Sequence, residues 1–317
     1  MAVDVITYDR DWLPQLASLA RAHARLVPPW ITLRDEDVEW GLQRHAAWPF
    51  YTPGLAEGET LLAVDGRELL AAGQVGIVST GWGYGPAEGD GPEWVHDDHL
   101  SLFWVFAWPG WRAAEAGAAL LAARVVGRAR SQGLPGLEAF RGGPGFLPFG
   151  TQLSSHWPHL WAPLRASGFR QPRDLLAYTG ETTPEALPAV DGTLDELEFR
   201  GRRDRVEAWW QGQPVGVCAA SPIGSGSSWR WIGERQPFVD RRLREWAVIR
   251  RLVVDRQVRG RGIGSALLAE QLRRLHRRGC THFLLHVVDD PGDPAAARLY
   301  HKFGVLADRQ QVLRVSF

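Results

Sequence analysis

Arg259-Gly260-Arg261-Gly262-Ile263-Gly264-Ser265 lies between the apolar stretch Leu252-Val253-Val254 and the leucine-striped segment Ala266 to Leu275, so a strand, a glycine loop and a helix follow in immediate succession. That order builds an anion site. The first turn of a helix carries backbone N–H groups with no intrahelical acceptor, and the helix dipole places about half a positive charge there. Glycines at 260, 262 and 264 keep Cβ atoms out of the approach path and tolerate positive φ, while Arg259 and Arg261 add charge. A tight strand-to-helix turn would use the same glycines, so the flanks must decide. A dinucleotide fingerprint needs a third glycine that is missing here, and a Walker loop needs a lysine, whereas the one lysine of the chain is Lys302. Nucleotide hydrolysis is therefore disfavoured.

Downstream, His282 to Val288 reads as a short buried strand, and Asp293 to Gly304 reads as a helix. Asp293 suits the N-cap, Pro294 the first helical position and Gly304 the stop. Ala296, Leu299 and Phe303 recur at helical spacing and give one apolar face. Taken together, these segments resemble the GNAT superfamily of N-acetyltransferases, whose phosphate loop reads Q/R-x-x-G-x-G/A after a strand L-x-V-x-P. Those places fall on Arg259, Gly262, Gly264, Leu252 and Val254, with Arg256 where the family has proline. The family helix N-x-x-A-x-x-L-Y falls on Asp293, Ala296, Leu299 and Tyr300, with Asp for Asn.

The resemblance implies an acyl-CoA ligand, acetyl-CoA or another short acyl-CoA, and no metal. It places the pyrophosphate on Arg259, Gly260, Arg261, Gly262, Ile263, Gly264 and Ser265. The pantetheine arm would lie along Leu252, Val253 and Val254, between strands that splay apart, with Asp293 and Ala296 on the neighbouring helix. Tyr300 would protonate the departing thiolate in a direct transfer to a primary amine of a small molecule or peptide. The bland reading of Tyr300 is a packed helical tyrosine. Many relatives carry a glutamate eleven residues before the Arg259 position, and here that place is Val248. Candidate bases are then Glu245, His286, Asp289 and Asp290, each of which also reads as an ordinary strand, core or loop residue. Arg250 and Arg251 interrupt an apolar strand and would suit an acceptor bearing a carboxylate or phosphate. A non-catalytic acyl-CoA sensor and an interaction scaffold remain as alternatives; the missing carboxylate at Val248 supports the sensor.

The chain has 317 residues, enough for two domains, and its 36 basic residues balance 36 acidic ones. Balance gives no electrostatic case for nucleic acid or an anionic membrane. The two cysteines, Cys218 and Cys280, form no zinc spacing and read as buried thiols. No signal-like start or long apolar run is present, so a cytoplasmic protein, monomer or homodimer, is expected.

Self-similarity extends the argument to the first half. A shift of 147 residues carries Val105, Ala107, Arg112, Gly117 and Ala119-Leu120-Leu121 onto Leu252, Val254, Arg259, Gly264 and Ala266-Leu267-Leu268. Hairpins with turns at Asp65-Gly66 and Gln211-Gly212 lie 146 residues apart. Glu115 stands in the place of Gly262 and Leu164 in that of Tyr300, so the first copy reads as degenerate, a scaffold or substrate wall. Thr80 to His96 reads as a long loop of the kind that shapes a site or lies mobile on a surface. The expected fold class is α/β (α+β), with two tandem acyl-CoA N-acyltransferase-like domains at 1–182 and 183–317. Each is a mixed, splayed central sheet flanked by helices.

Overall fold

A computed structural model of the chain describes residues 3–43, 54–79, 99–140, 144, 146–147, 152–189, 196–202, 204–223, 241–289 and 294–317. The expected loop from Thr80 to His96 lies outside these residues, as do Asp290 and Asp293. In chain order the elements are β1 (Asp4–Thr7), α1 (Leu13–Ala24), α2 (Asp35–Gln43), β2 (Gly54–Asp65), β3 (Glu68–Ser79), β4 (His99–Ala107), α3 (Arg112–Ser131), β5 (Gly136–Ala139), β6 (Leu153–Ser154), α4 (Trp161–Ala166) and β7 (Arg170–Glu181). There follow β8 (Leu197–Arg200), β9 (Arg205–Trp210), β10 (Gln213–Pro222), β11 (Trp246–Val254), α5 (Ile263–His276), β12 (His282–Val288), α6 (Ala295–His301) and β13 (Val305–Ser316).

Two compact units result, Met1–Asp174 with Gln310–Phe317, and Leu175–Arg309. The division falls at 174/175 instead of 182/183, and the last eight residues join the first unit. The register explains it. Leu175 to Glu181 of β7 pair antiparallel with β12, from Leu175↔Val288 to Glu181↔His282. The end of β13 pairs with β5 from Leu313↔Ala139 to Ser316↔Gly136. Each unit is thus closed by a strand that stands next to the other unit in sequence.

In the first unit β1, β2, β3 and β4 form an antiparallel run, and β4 then pairs parallel with β5. The β2–β3 turn tip is Gly66-Arg67, one residue later than expected, with Gly66 at φ 60°. The segment from Gln152 to Ser167 is not one helix. Leu153–Ser154 is a strand, and only Trp161–Ala166 is α-helical, because Pro158 and Pro163 lack the N–H that a continuous helix needs. In the second unit the antiparallel pairs are β8 with β9, β9 with β10, and β10 with β11; β11 pairs parallel with β12. Leu267, Leu268, Leu272 and Leu275 of α5, spaced for one helix face, are fully buried with Phe283, Leu285, Ile249, Tyr178 and Phe303 in the core of this unit. Burial of the leucine stripe, at about 1.5–3 kcal/mol per side chain, holds α5 and with it the glycine loop on the sheet.

Candidate functional site

Strands β11 and β12 run parallel through four registered pairs, from Trp246↔His282 to Ile249↔Leu285. Beyond that point they part. β11 continues along β10, with Leu252↔Cys218 and Val254↔Gly216, while β12 continues along β7, with His286↔Ala177. The partners Ala219↔Arg251 and Ala220↔Ile249 leave Arg250 as an extra residue, a bulge at the fork. A bulge bends its strand and changes which residues face each side. Leu252 and Val254 consequently pack toward the core that contains Tyr300, and Arg251 and Val253 project from the opposite face, both exposed.

The glycine loop stands at the open end of this fork. Asp255 accepts from the Gln257 N–H at 2.9 Å, capping a short turn at Arg256–Val258 where the family has proline. Gly260 and Gly262 take φ of 80° and 83°, which a Cβ would strain by about 1–2 kcal/mol each. Gly262 caps α5, and Ala266 N donates to its carbonyl at 3.0 Å, so the N–H groups of Ile263, Gly264 and Ser265 precede the first intrahelical bond. An added Cβ on Gly264 would lie 3.4 Å from Leu299 Cδ2 and 3.6 Å from Val254 Cγ2, so β11, α5 and α6 converge at this residue. The Arg259 Nε donates to the Val254 carbonyl at 3.1 Å, and the Arg261 guanidinium lies 4.9 Å from the centroid of the Trp210 ring. The Val254 carbonyl, which an arm lying along this strand would need, is therefore already bonded to Arg259.

Tyr300 is buried in α6, in the same core cluster as Ile249 and Leu285, the last paired residues of the fork. Burial, with Cys218 nearby, pushes its phenol above the usual value, so the proton stays on oxygen. Ala296 and Leu299 of the same helix pack on this core. α6 itself starts at Ala295, with Pro294 as its cap, one residue later than the expected cap at Asp293 and start at Pro294. Gly304 permits close approach to the Thr179 carbonyl, where a Cβ would collide.

The candidate bases separate. His286 is the first residue of β12 past the fork, on the face opposite Leu285; its Nε2 is buried without a hydrogen-bond partner, although the ring keeps some exposure. Burial lowers its imidazole to about 4, so the ring is uncharged at neutral pH. Glu245 is exposed at the closed end, where its carbonyl accepts from Thr281 N at 2.7 Å; four strand residues, about 13 Å, separate it from the fork. The structure does not bring it to Tyr300. Asp289 is paired with Arg309 at 3.1 Å, and Val248 is buried. Arg250 donates to the Ala220 carbonyl at 3.4 Å, which ties it to the bulge.

The first unit keeps the fork but not the contacts. β4 and β5 pair only at Ser101↔Glu138 and Leu102↔Ala139, with Phe140 N donating to Leu102 O at 2.9 Å. The carbonyl of Ala107, counterpart of Val254, is bonded by His159 Nε2 at 3.0 Å, and that nitrogen also lies 3.1 Å from His23 Nε2. Because His23 Nδ1 donates to Leu19 O at 2.9 Å, its Nε2 must accept, and the single Nε2–H of His159 is shared between that nitrogen and the Ala107 carbonyl. His23 stacks on Phe106 at 4.1 Å and is fully buried, which lowers its imidazole to about 3. Glu115 lies in the first turn of α3, and Leu164 is fully buried. Sequence reasoning missed this histidine pair and Trp210, because each contact joins residues distant in the chain.

Residues 174–305 match the model of the acetyltransferase (GNAT) family. The second half of the chain is thus a GNAT domain, and the chain has the tandem GNAT fold. A GCN5-related N-acetyltransferase from Sphaerobacter thermophilus aligns at TM-score 0.60 and 15% identity, over 99% of this chain and 95% of that one. A tandem GNAT protein from the clavulanic acid biosynthesis pathway aligns at TM-score 0.58 and 14% identity, over 99% and 98%. The GCN5-related glucosamine N-acetyltransferase region of a fungal multi-domain β-N-acetylglucosaminidase aligns at TM-score 0.64 and 15% identity; the chain spans 38% of that protein. No curated protein matches the sequence. Among the described residues no helix is long and apolar enough to cross a membrane, and no cluster of ligating side chains could hold a metal ion.

Proposed function

We propose that the chain is an acyl-CoA-dependent N-acetyltransferase that moves an acetyl group directly from acetyl-CoA to a primary amine of a small molecule or peptide. The observation that carries this reading is the fork between β11 and β12, with the glycine loop at its open end and Tyr300 in the core beneath it. The donor's pyrophosphate sits on Arg259 to Ser265, and its arm enters the fork along Leu252, Val253 and Val254. Val254 would exchange its bond with Arg259 for one to the arm.

The amine nitrogen attacks the thioester carbonyl, the C–N bond forms and the C–S bond breaks. His286, uncharged and on the face opposite Tyr300, takes the proton that nitrogen loses, and Tyr300 donates to the leaving sulfur. Solvent returns the proton from His286 to Tyr300, so the cycle closes without an acyl-enzyme. The acceptor approaches from the side of Arg251 and Val253, and Arg251, exposed there, favours an amine that also bears an anionic group. In the first unit the Ala107–His159 bond and Glu115 oppose a second donor site.

A sensor that binds the donor without turnover is favoured by one observation, the absence of a carboxylate at Val248. Thiol release from acetyl-CoA, followed across a panel of primary amines, separates the two. Turnover with an amine supports transfer. One donor bound per chain with no turnover on any amine supports the sensor, and no binding refutes both.

A further inference from the structure

The β9–β10 hairpin turns at Gln211 and Gly212, both at positive φ (51° and 76°), as a tight two-residue connection requires. Trp210 is the last residue before the turn, registered with Gln213 on β10 and with Leu197 on β8. Strand alternation sends its neighbour Trp209 to the other face, where it meets Arg200 at 4.3 Å. Trp210 instead packs on the core under α5, and its ring meets Arg261. Among the described residues Arg261 forms no ion pair, and it is exposed.

The two arginines of the loop are therefore anchored differently. Arg259 is tied through Nε to its own strand. Arg261 is held by an aromatic face, which restrains a long side chain without consuming its N–H donors or cancelling its charge. A carboxylate would restrain it too, at the cost of neutralising it.

We propose that Trp210 is a positioning residue that holds Arg261 beside the glycine loop for the phosphate groups of the acyl donor. Affinity for the charged end of the donor then depends on a ring supplied by the neighbouring hairpin. This rests on the acyl-CoA reading above. Restraint before binding lowers the ordering cost that the ligand must overcome.

The test compares binding of CoA and of pantetheine, which lacks the nucleotide and its phosphates, to the full chain by calorimetry. Trp210→Leu is expected to weaken CoA about 2- to 5-fold, the worth of an exposed cation–π contact, and to leave pantetheine unchanged. Trp210→Phe should restore most of the loss. Arg261→Gln should weaken CoA in the wild type and add little in the Trp210→Leu background. Equal weakening of both ligands, no weakening of CoA, or full additivity of the two changes would overturn the proposal. If the leucine variant does not fold, Trp210→Met takes its place in the same comparison, with a loss for CoA that is absent in the Arg261→Gln background expected and full additivity decisive against. A wild type that binds CoA no better than pantetheine refutes the phosphate-loop reading itself, whereas a wild type that discriminates while Trp210 is indifferent refutes only the role given to Trp210.

Discussion

Replacing Gly262 by glutamate tests the loop most directly, because two separate costs fall on one residue. At φ 83° and ψ −6° a Cβ strains the backbone by about 1–2 kcal/mol. The carboxylate adds a like charge beside the proposed pyrophosphate. At a separation of about 5 Å and an effective dielectric of about 20, each pair of unit charges costs about 3 kcal/mol. If both are felt on binding, the sum of about 4–5 kcal/mol corresponds to a loss of roughly 10³-fold in acetyl-CoA affinity. Gly262→Ala carries only the strain and should lose up to roughly 10-fold, with any part already present in the free loop appearing instead as a melting temperature lowered by about 2–4 °C per kcal/mol. Calorimetry measures the affinities, and a thermal melt separates folding from binding. The reciprocal change Glu115→Gly should leave one donor per chain. Glutamate at 262 binding acetyl-CoA as the wild type does, or two donors per wild-type chain, would refute the assignment.

Tyr300→Phe should lower turnover by about 10²-fold while donor affinity stays near wild type; unchanged turnover with the best acceptor would leave Tyr300 a packing residue. Arg251→Gln should raise KM about 10-fold or more for amines that carry a carboxylate or phosphate and hardly affect neutral amines, and a panel that prefers polyamines would show that this face does not receive the acceptor. His286 is held neutral in the fold at about 4 against about 6.5 unfolded, so its stabilising contribution is complete above about pH 6.5 and is lost as pH falls toward 4. Between pH 7.5 and 5 it should cost up to about 2 kcal/mol in urea unfolding, and His286→Asn should flatten that part of the pH profile; an equally steep profile in the variant would show that the imidazole is not shielded.

Local chemistry made the strand–loop–helix legible. Glycines at 260 and 262 report positive φ, the leucine stripe reports the buried face of α5, and the repeat carried the same reading to α3. The strands were expected to splay along Leu252 to Val254, and the register ends their pairing at Ile249. What the sequence concealed depends on partners far along the chain. Nothing in Leu175 to Glu181 or Gln310 to Ser316 specifies which strand each will pair with, since short apolar stretches fit either edge. The histidine pair joins positions 136 residues apart, and neither residue has a local pattern that points to the other. Bulge-driven facing is equally nonlocal, because Arg250 becomes the extra residue only through its pairing with β10.

The return of the last residues to the first unit orders events during synthesis. Leu313 and Val315 are buried there, and Gly136 is glycine because the Val315 carbonyl passes over it. A ribosome at about 5–20 residues per second needs several seconds or more to make Leu175 to Arg309 after Asp174 has emerged. Throughout that interval the earlier half of the polypeptide waits with β5 lacking its terminal neighbour. The half made first is therefore the half finished last, and a nascent chain that stalls before Gln310 leaves that edge bare.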